Sequence, residues 1–395
     1  MATTTTKPDV VTSPYLLDTD IGLLRRFWRG RRWYGMEWYI TTFGALILVV
    51  IIVMTLLAPV LSPYDPNTFI AAPFIPPGGG RQSLLARAGE SPVQSGDDLA
   101  GMTIGVTRNT TSVKLAKELG ANEYRYMLPG EVEIGLANSE VDLIFIDRDT
   151  VPEVLAAHPE LEVVEENLGA SYLLGTDNLG RDISSRLIWG ARTVLLVALS
   201  SAAISSIIGI PLGLISAFIG GPFDRVLSLT MDSIYSFPGF LLAVAMATML
   251  GPGLFNVAIA ISVIYIPTFF RVVRGQTLSV KEELYVEAAR GLGATPLSIL
   301  RHYIFPNVIP TVVVVFSLNV ADAILTEAGL SFIGLGMPPD VPDWGYDLSK
   351  GHQFLVAGHW WMITFPGILI SLVAMGFSLL GEGLSEILNP RLAKS

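Results

Sequence analysis

Six stretches of the chain are almost purely apolar, at residues 39–61, 193–218, 228–250, 254–270, 308–328 and 361–380. Each is close to the roughly 20 residues that a helix needs to cross a bilayer. The first carries no charged side chain and has no small-residue cleavage site after it, so it is expected to stay as an anchor. The pattern predicts an all-α polytopic membrane protein with six transmembrane helices. Between the first two stretches the periodicity changes. Short strand-like runs at 103–107, 123–127, 141–146 and 161–164 alternate with helical ones at 112–119, 131–137 and 151–158. Such alternation predicts a small inserted α/β domain with a largely parallel sheet. Its length of about 90 residues is enough for a modest core.

One further polar stretch, 282–306, lies between the fourth and fifth apolar runs and reads as a helix, a turn and a second short helix ending at Pro306. A helix-turn-helix that begins and ends at a membrane is expected to be touched by something else.

Composition agrees with a membrane protein: 51% of residues are hydrophobic, 15% are charged and the mean hydropathy is +0.54. With no Cys, disulfides and thiolate metal sites are excluded. The four His are scattered without metal-ligand spacing, so no metal site is expected. Residues 81–170 hold 16 acidic and 7 basic side chains, whereas the remainder is nearly balanced with 19 acidic and 18 basic. Nearly all the acidity therefore belongs to the insert.

Basic residues set the expected orientation. Residues 1–39 hold six Lys or Arg and 271–307 hold five, and the tail adds Arg391 and Lys394, whereas 331–360 holds only Lys350. Both termini and 276–306 are then cytoplasmic, and the insert is extracytoplasmic. At 16–34, arginines interleave with Phe27, Trp28, Trp33 and Tyr34, which suits either a helix lying among lipid headgroups or a plain positive flank. Paired Trp360 and Trp361 open the last span as an interfacial belt.

The chain has no glycine-lysine nucleotide loop, no nucleophile elbow and no paired His, so it is not expected to be an enzyme. Acids inside the spans are few. Asp232, Asp322 and Glu327 are candidates for a pore or gate, with packing roles as the alternative. Pro238 predicts a kink in the third span.

Glu287-Ala288-Ala289 followed after three residues by Gly293 resembles the EAA signature of ABC-importer permeases. The resemblance extends to the Gly175–Asp182 box, Phe237-Pro238-Gly239, the run from Leu325 to Gly336, Trp344-Gly345 and Leu388-Asn389-Pro390-Arg391. Together these resemble the second permease subunit of dipeptide, oligopeptide and nickel importers, over 39–77 and 169–391. The resemblance implies the type I ABC-importer permease fold with cytoplasmic coupling helices. It implies import of di- or oligopeptides by alternating access, with nickel or another small solute as the alternative. It also implies a second homologous permease subunit, two ATP-binding subunits carrying the ATP and Mg, an extracytoplasmic solute-binding protein and a prokaryotic plasma membrane. No nucleic acid is implied. The ATPase-coupling residues it points to are Glu287, Ala288, Ala289, Leu292, Gly293, Ile299 and Pro306. Here Tyr303-Ile304-Phe305-Pro306 stands where the family ends its loop with Ile-x-Leu-Pro, and the insert is itself a departure.

The insert resembles one lobe of a type-2 amino-acid-binding protein, through 98–106, Asn109-Thr110-Thr111 and 138–147. That resemblance implies ligand contacts at Thr110, Thr111 and Asp147. A docking, spacing or gating module is the alternative, as is an amino-acid-sensing receptor. The expected divisions are 1–38 (cytoplasmic, interfacial helix), 39–62 (first span), 63–79 (linker), 80–168 (insert), 169–192 (Gly-Thr-Asp segment), 193–384 (five spans with the coupling segment 276–306) and 385–395 (tail).

Overall fold

A computed structural model describes residues 23–89, 99, 101–107, 111–121, 123–128 and 131–388. Helix α1 (Leu23–Leu56) is continuous from the arginine-rich stretch into the first apolar run. This corrects the expectation of a separate interfacial helix, since nothing between residues 23 and 56 breaks the helical backbone. Residues 16–22 of that stretch lie outside the described residues. A short helix α2 (Ala58–Leu61) ends the run, and an irregular linker leads to the insert.

The insert consists of β1 (Gln82–Arg87), β2 (Thr103–Thr107), α3 (Thr111–Glu118), β3 (Glu123–Met127), α4 (Val132–Ala137), β4 (Leu143–Asp147), α5 (Val151–Ala157) and β5 (Leu161–Leu168). The sheet order is β3-β2-β4-β1-β5. Strand β2 is parallel to β3 and β4, while β1 is antiparallel to both β4 and β5. The sheet is thus mixed rather than largely parallel. The reason is β1, which lies between β4 and β5 and runs against both. One face packs Leu84, Ile104 and Leu143 against Leu115 and Ala116 of α3; the other packs Leu85, Ile144 and Leu161 against α4 and α5. Gln82 pairs with Leu168, and beyond them Gly78 N–H donates to Tyr172 O and Tyr172 N–H to Gly79 O. The incoming and outgoing segments therefore form one antiparallel neck.

The chain continues through α6 (Ile183–Ile219), α7 (Gly221–Tyr235), α8 (Gly239–Leu250), α9 (Leu254–Lys281), α10 (Leu284–Gly291), α11 (Pro296–Ile299), α12 (Phe305–Phe332), α13 (Trp344–Phe354) and α14 (Trp361–Leu388). Among the described residues, five helical stretches are long and apolar enough to cross a membrane. A sixth crossing arises only if α7 and α8 count together, and these are bent by 86°. The kinked single span expected at 228–250 is therefore two helices. Pro238 takes an extended backbone (φ −56°, ψ 117°) and starts α8, so it ends one helix rather than kinking it.

The bundle is held by close backbone approaches. Ser205 Oγ on α6 donates to Ser262 O on α9 at 2.9 Å. A Cβ at Gly213 would sit 2.6 Å from Phe270 O, so only glycine lets α6 and α9 meet there. Helix α6, at 37 residues, spans about 55 Å. Its first turns lie beside the neck, and its last turn is capped by Lys281, whose Nζ donates to Ala217 O and Phe218 O at 3.2 and 2.9 Å.

Candidate functional site

The polar stretch after α9 sits at the end of the bundle far from the insert. Helix α10 ends in a Schellman motif: Gly293 N–H donates to Arg290 O and Ala294 N–H to Ala289 O, both at 3.0 Å. Gly293 occupies the left-handed region at φ +84°, which side chains disfavour. Thr295 then caps α11, its Oγ1 accepting from Ser298 N–H at 3.3 Å, and Pro296 fills the first helical position. Four consecutive residues thus stop one helix and start the next.

The second helix does not end at Pro306. A wide turn at Leu300–Ile304 carries α11 directly into α12, giving one helical stretch Pro296–Phe332. A proline ring displaces the carbonyl of the preceding turn, and the five-residue hydrogen-bond spacing here gives it room. Pro306 is therefore the root of a long helix.

Two faces of this segment differ. Val286, Ile299 and Ile304 are buried with Leu214 of α6, Val273 of α9 and Val308 of α12. Ala289 is buried on the same side, while Glu287, Ala288, Leu292 and Pro306 are exposed. On the open side Leu292 is 90%, Leu284 80% and Leu297 73% exposed. Leu284, Leu297 and Val286 were not singled out from the sequence. The i, i+3 spacing of Val286 and Ala289 holds that signal, but it does not say which face the bundle covers.

At the insert end, the Gly175–Asp182 box is a clasp. Asp177 Oδ2 accepts from Arg181 Nε at 2.6 Å. Asp182 Oδ2 accepts from Ser184 Oγ, Ser185 N–H and Ser185 Oγ at 2.5, 2.7 and 2.7 Å, capping α6. Thr176 Oγ1 donates to Ala72 O and accepts from Ile75 N–H, which holds the linker. Arg186 is fully buried and donates to Asp347 of α13 at 2.7–3.1 Å and to Pro66 O at 3.3 Å. Trp344 Nε1 donates to Leu187 O, and Trp361 Nε1 to Thr176 O. Trp361 is therefore a buried strut rather than part of a belt, while Trp360 is half exposed. Burial pushes the Tyr172 phenol in the neck up to about 12, with Tyr64 beside it adding to the shift.

The three candidate acids do not converge. Asp232 pairs with Arg271 at 2.9 Å on an exposed face, beside a cavity of about 500 Å³ that Asp224, Arg225 and Arg274 also line. Asp322 is exposed on α12. Glu327 is fully buried near Asp343. The Asp224–Arg274 pair at 2.6 Å escaped the sequence reading, because its partners stand 50 positions apart.

In the insert, Thr110 lies outside the described residues and Thr111 opens α3. Asp147 ends β4 and accepts from Gln82 Nε2 at 3.1 Å. Gln82 is the first residue after the neck, so the carboxyl ends of the parallel strands lie on the bundle side. Lys114 of α3 reaches Ile70 O of the linker at 3.4 Å.

Residues 209–394 match the family model described as binding-protein-dependent transport system inner membrane component. The glutathione transport system permease protein of Pectobacterium atrosepticum is 39% identical over 230 residues, 58% of this chain and 76% of that protein. The dipeptide transport system permease protein of Alkalihalophilus pseudofirmus is 39% identical over 223 residues, 56% of this chain and 73% of its own length. A solved inward-facing form of the MetNI methionine ABC transporter aligns with 52% of this chain and 96% of its own at 19% identity, with a TM-score of 0.44, too low to add to these two.

Proposed function

The chain belongs to the binding-protein-dependent transport system inner membrane components, and we propose that it is the permease subunit of an ATP-driven peptide importer. Peptides are the cargo because the relatives named above are glutathione and dipeptide permeases. In this reading α7 and α8 form one broken crossing, giving six spans with both termini cytoplasmic and the insert outside. The observation that carries the coupling role is the two-faced segment from α10 to α11. Its buried side is tied to the ends of α6, α9 and α12, and its open side offers Leu284, Leu292 and Leu297 to a partner. ATP and Mg belong to two partner subunits. Their closure would press on this segment and rock the bundle between outward and inward access. The exposed faces of α7 and α8 await a second permease subunit, and the path would run between the two chains past Asp232, Pro238 and Asp322. Glu327, being buried, has no part in that path.

An affinity-tagged chain expressed with its genomic neighbours should bring down two ATPases and a second permease. Proteoliposomes of that complex should take up labelled di- or oligopeptide only with ATP on the ATPase side and a binding protein on the other. A chain purified without ATPases from such co-expression contradicts the reading.

The insert we assign to docking or gating at the outer mouth. Ligands of open α/β sheets bind outside the carboxyl ends of the strands, and here that edge faces the bundle. One lobe cannot close around a ligand, and Asp147 already accepts from Gln82. Gln82 and Leu168 are paired, roughly 5 Å apart, so a short Gly-Ser bridge can replace the residues between 81 and 169. The shortened chain should still assemble with its ATPases and lose uptake by more than about tenfold, on the order of 1.4 kcal/mol. Unchanged uptake would rule out the docking role.

A further inference from the structure

Glu327 of α12 and Asp343, the residue before α13, are both fully buried and lie within hydrogen-bond reach of each other. One oxygen of each is satisfied. Ser331 Oγ donates to Glu327 Oε1 at 2.9 Å, and Tyr346 N–H donates to Asp343 Oδ2 at 2.9 Å. The other two, Glu327 Oε2 and Asp343 Oδ1, have no donor. Two ionised carboxylates side by side in a dry site would repel, and each would keep a buried unsatisfied acceptor. One proton removes both difficulties, because the protonated carboxyl donates to its neighbour.

We propose that Glu327 and Asp343 form a proton-binding site that fastens α13 and its approach loop to α12. The backbones pack closely beside the pair: a Cβ at Gly345 would lie 2.6 Å from Ala328 O and 2.7 Å from Ser331 Cβ. Among the described residues no three His, Asp or Glu side chains gather as a metal site. No cationic group substitutes for the proton either. On α6, Arg186 is engaged by Asp347 of α13. On α13, Lys350 lies over the Tyr346 ring and His352 sits edge-on to Phe332. Burial raises the affinity of Asp343 for a proton, and the charge of Asp347 adds to it.

The sign follows from linkage. Asp343 binds a proton more tightly in the folded chain than in the unfolded one, so the fastening is complete in acid and is lost as pH rises. Loss of the proton leaves two negative charges between α12 and the turn that seats Trp344, and α13 loosens from the clasp.

The test uses the full-length chain in lipid nanodiscs. Infrared spectra at neutral pH should show a protonated-carboxyl carbonyl band that disappears in both Glu327→Gln and Asp343→Asn. The thermal midpoint of the parent should fall by about 4 °C between about pH 6 and about pH 9. Glu327→Gln, whose amide donates permanently, should hold its midpoint across that range. If Glu327→Gln does not fold, Asp343→Asn and the parent spectrum still decide. Absence of the band in the parent, its persistence in the folded variants, or a parent pH slope shared by those variants overturns the proposal.

Discussion

Replacing Arg186 by methionine is expected to destabilise the chain by about 3–5 kcal/mol, because it strands a carboxylate that the fold has largely shielded from water. Arg186 gives Asp347 three hydrogen bonds and Pro66 O a fourth, joining α6, α13 and the linker at one side chain. The unfolding midpoint should drop by about 6–20 °C, at roughly 2–4 °C per kcal/mol for a chain somewhat smaller than this one. The double variant Arg186→Met with Asp347→Leu should regain more than half of the loss, since removing both charges also removes their desolvation. Thermal unfolding in detergent, followed by tryptophan fluorescence, reads both. A single variant that melts within about 2 °C of the parent would mean that the pair is not what holds the clasp.

The second large effect is expected at the other end. Leu292→Asp combined with Leu297→Asp should leave the chain folded and inserted but without its ATPases. Both side chains are exposed and neither belongs to the buried cluster beneath. Centrally placed anchors of this size contribute about 2 kcal/mol or more each to an interface, so two buried charges should weaken binding by about a thousandfold. Quantitative pull-down from co-expressing cells measures this. Val286→Ala is the informative contrast. Val286 is buried, so its truncation should lower stability by about 1–3 kcal/mol while sparing the docking face. Retained ATPases in the double variant would move the coupling surface elsewhere.

Much of this was legible in the sequence, for physical reasons. Strands β2 and β3 were expected at 103–107 and 123–127 and fall there, since a short run of strand-favouring residues is local information. Strand β1 was not seen. Gln82–Arg87 has no strong alternation and follows a glycine-rich linker, and it is a strand because β4 and β5 hold it on both sides. The break before α8 was half legible. Pro238 announces an interruption, but a bend of 86° depends on what packs against each half. Gly293 was found through the resemblance to the EAA signature, and its left-handed backbone is the physical reason that a glycine stands there. Arg186 and Asp347 were not, because 161 residues separate them and nothing local marks either as a partner. Asp343 was missed similarly: nothing local sets it apart from its neighbours, and only its burial beside Glu327 does so.

The neck has an entropic consequence for the clasp. Linker residues 64–80 and residues 172–186 must be brought together across roughly 90 intervening positions. While the sheet is folded, Gln82 and Leu168 are neighbours and the chain behaves there as a tight hairpin. Should the sheet melt, the same ends become the termini of a long flexible loop. Closing it costs about 3 kcal/mol more than closing a hairpin, at about 0.6 kcal/mol for each doubling in length. The insert therefore acts on the bundle without touching most of it: its folded fraction sets the effective concentration at which the two halves of the clasp meet.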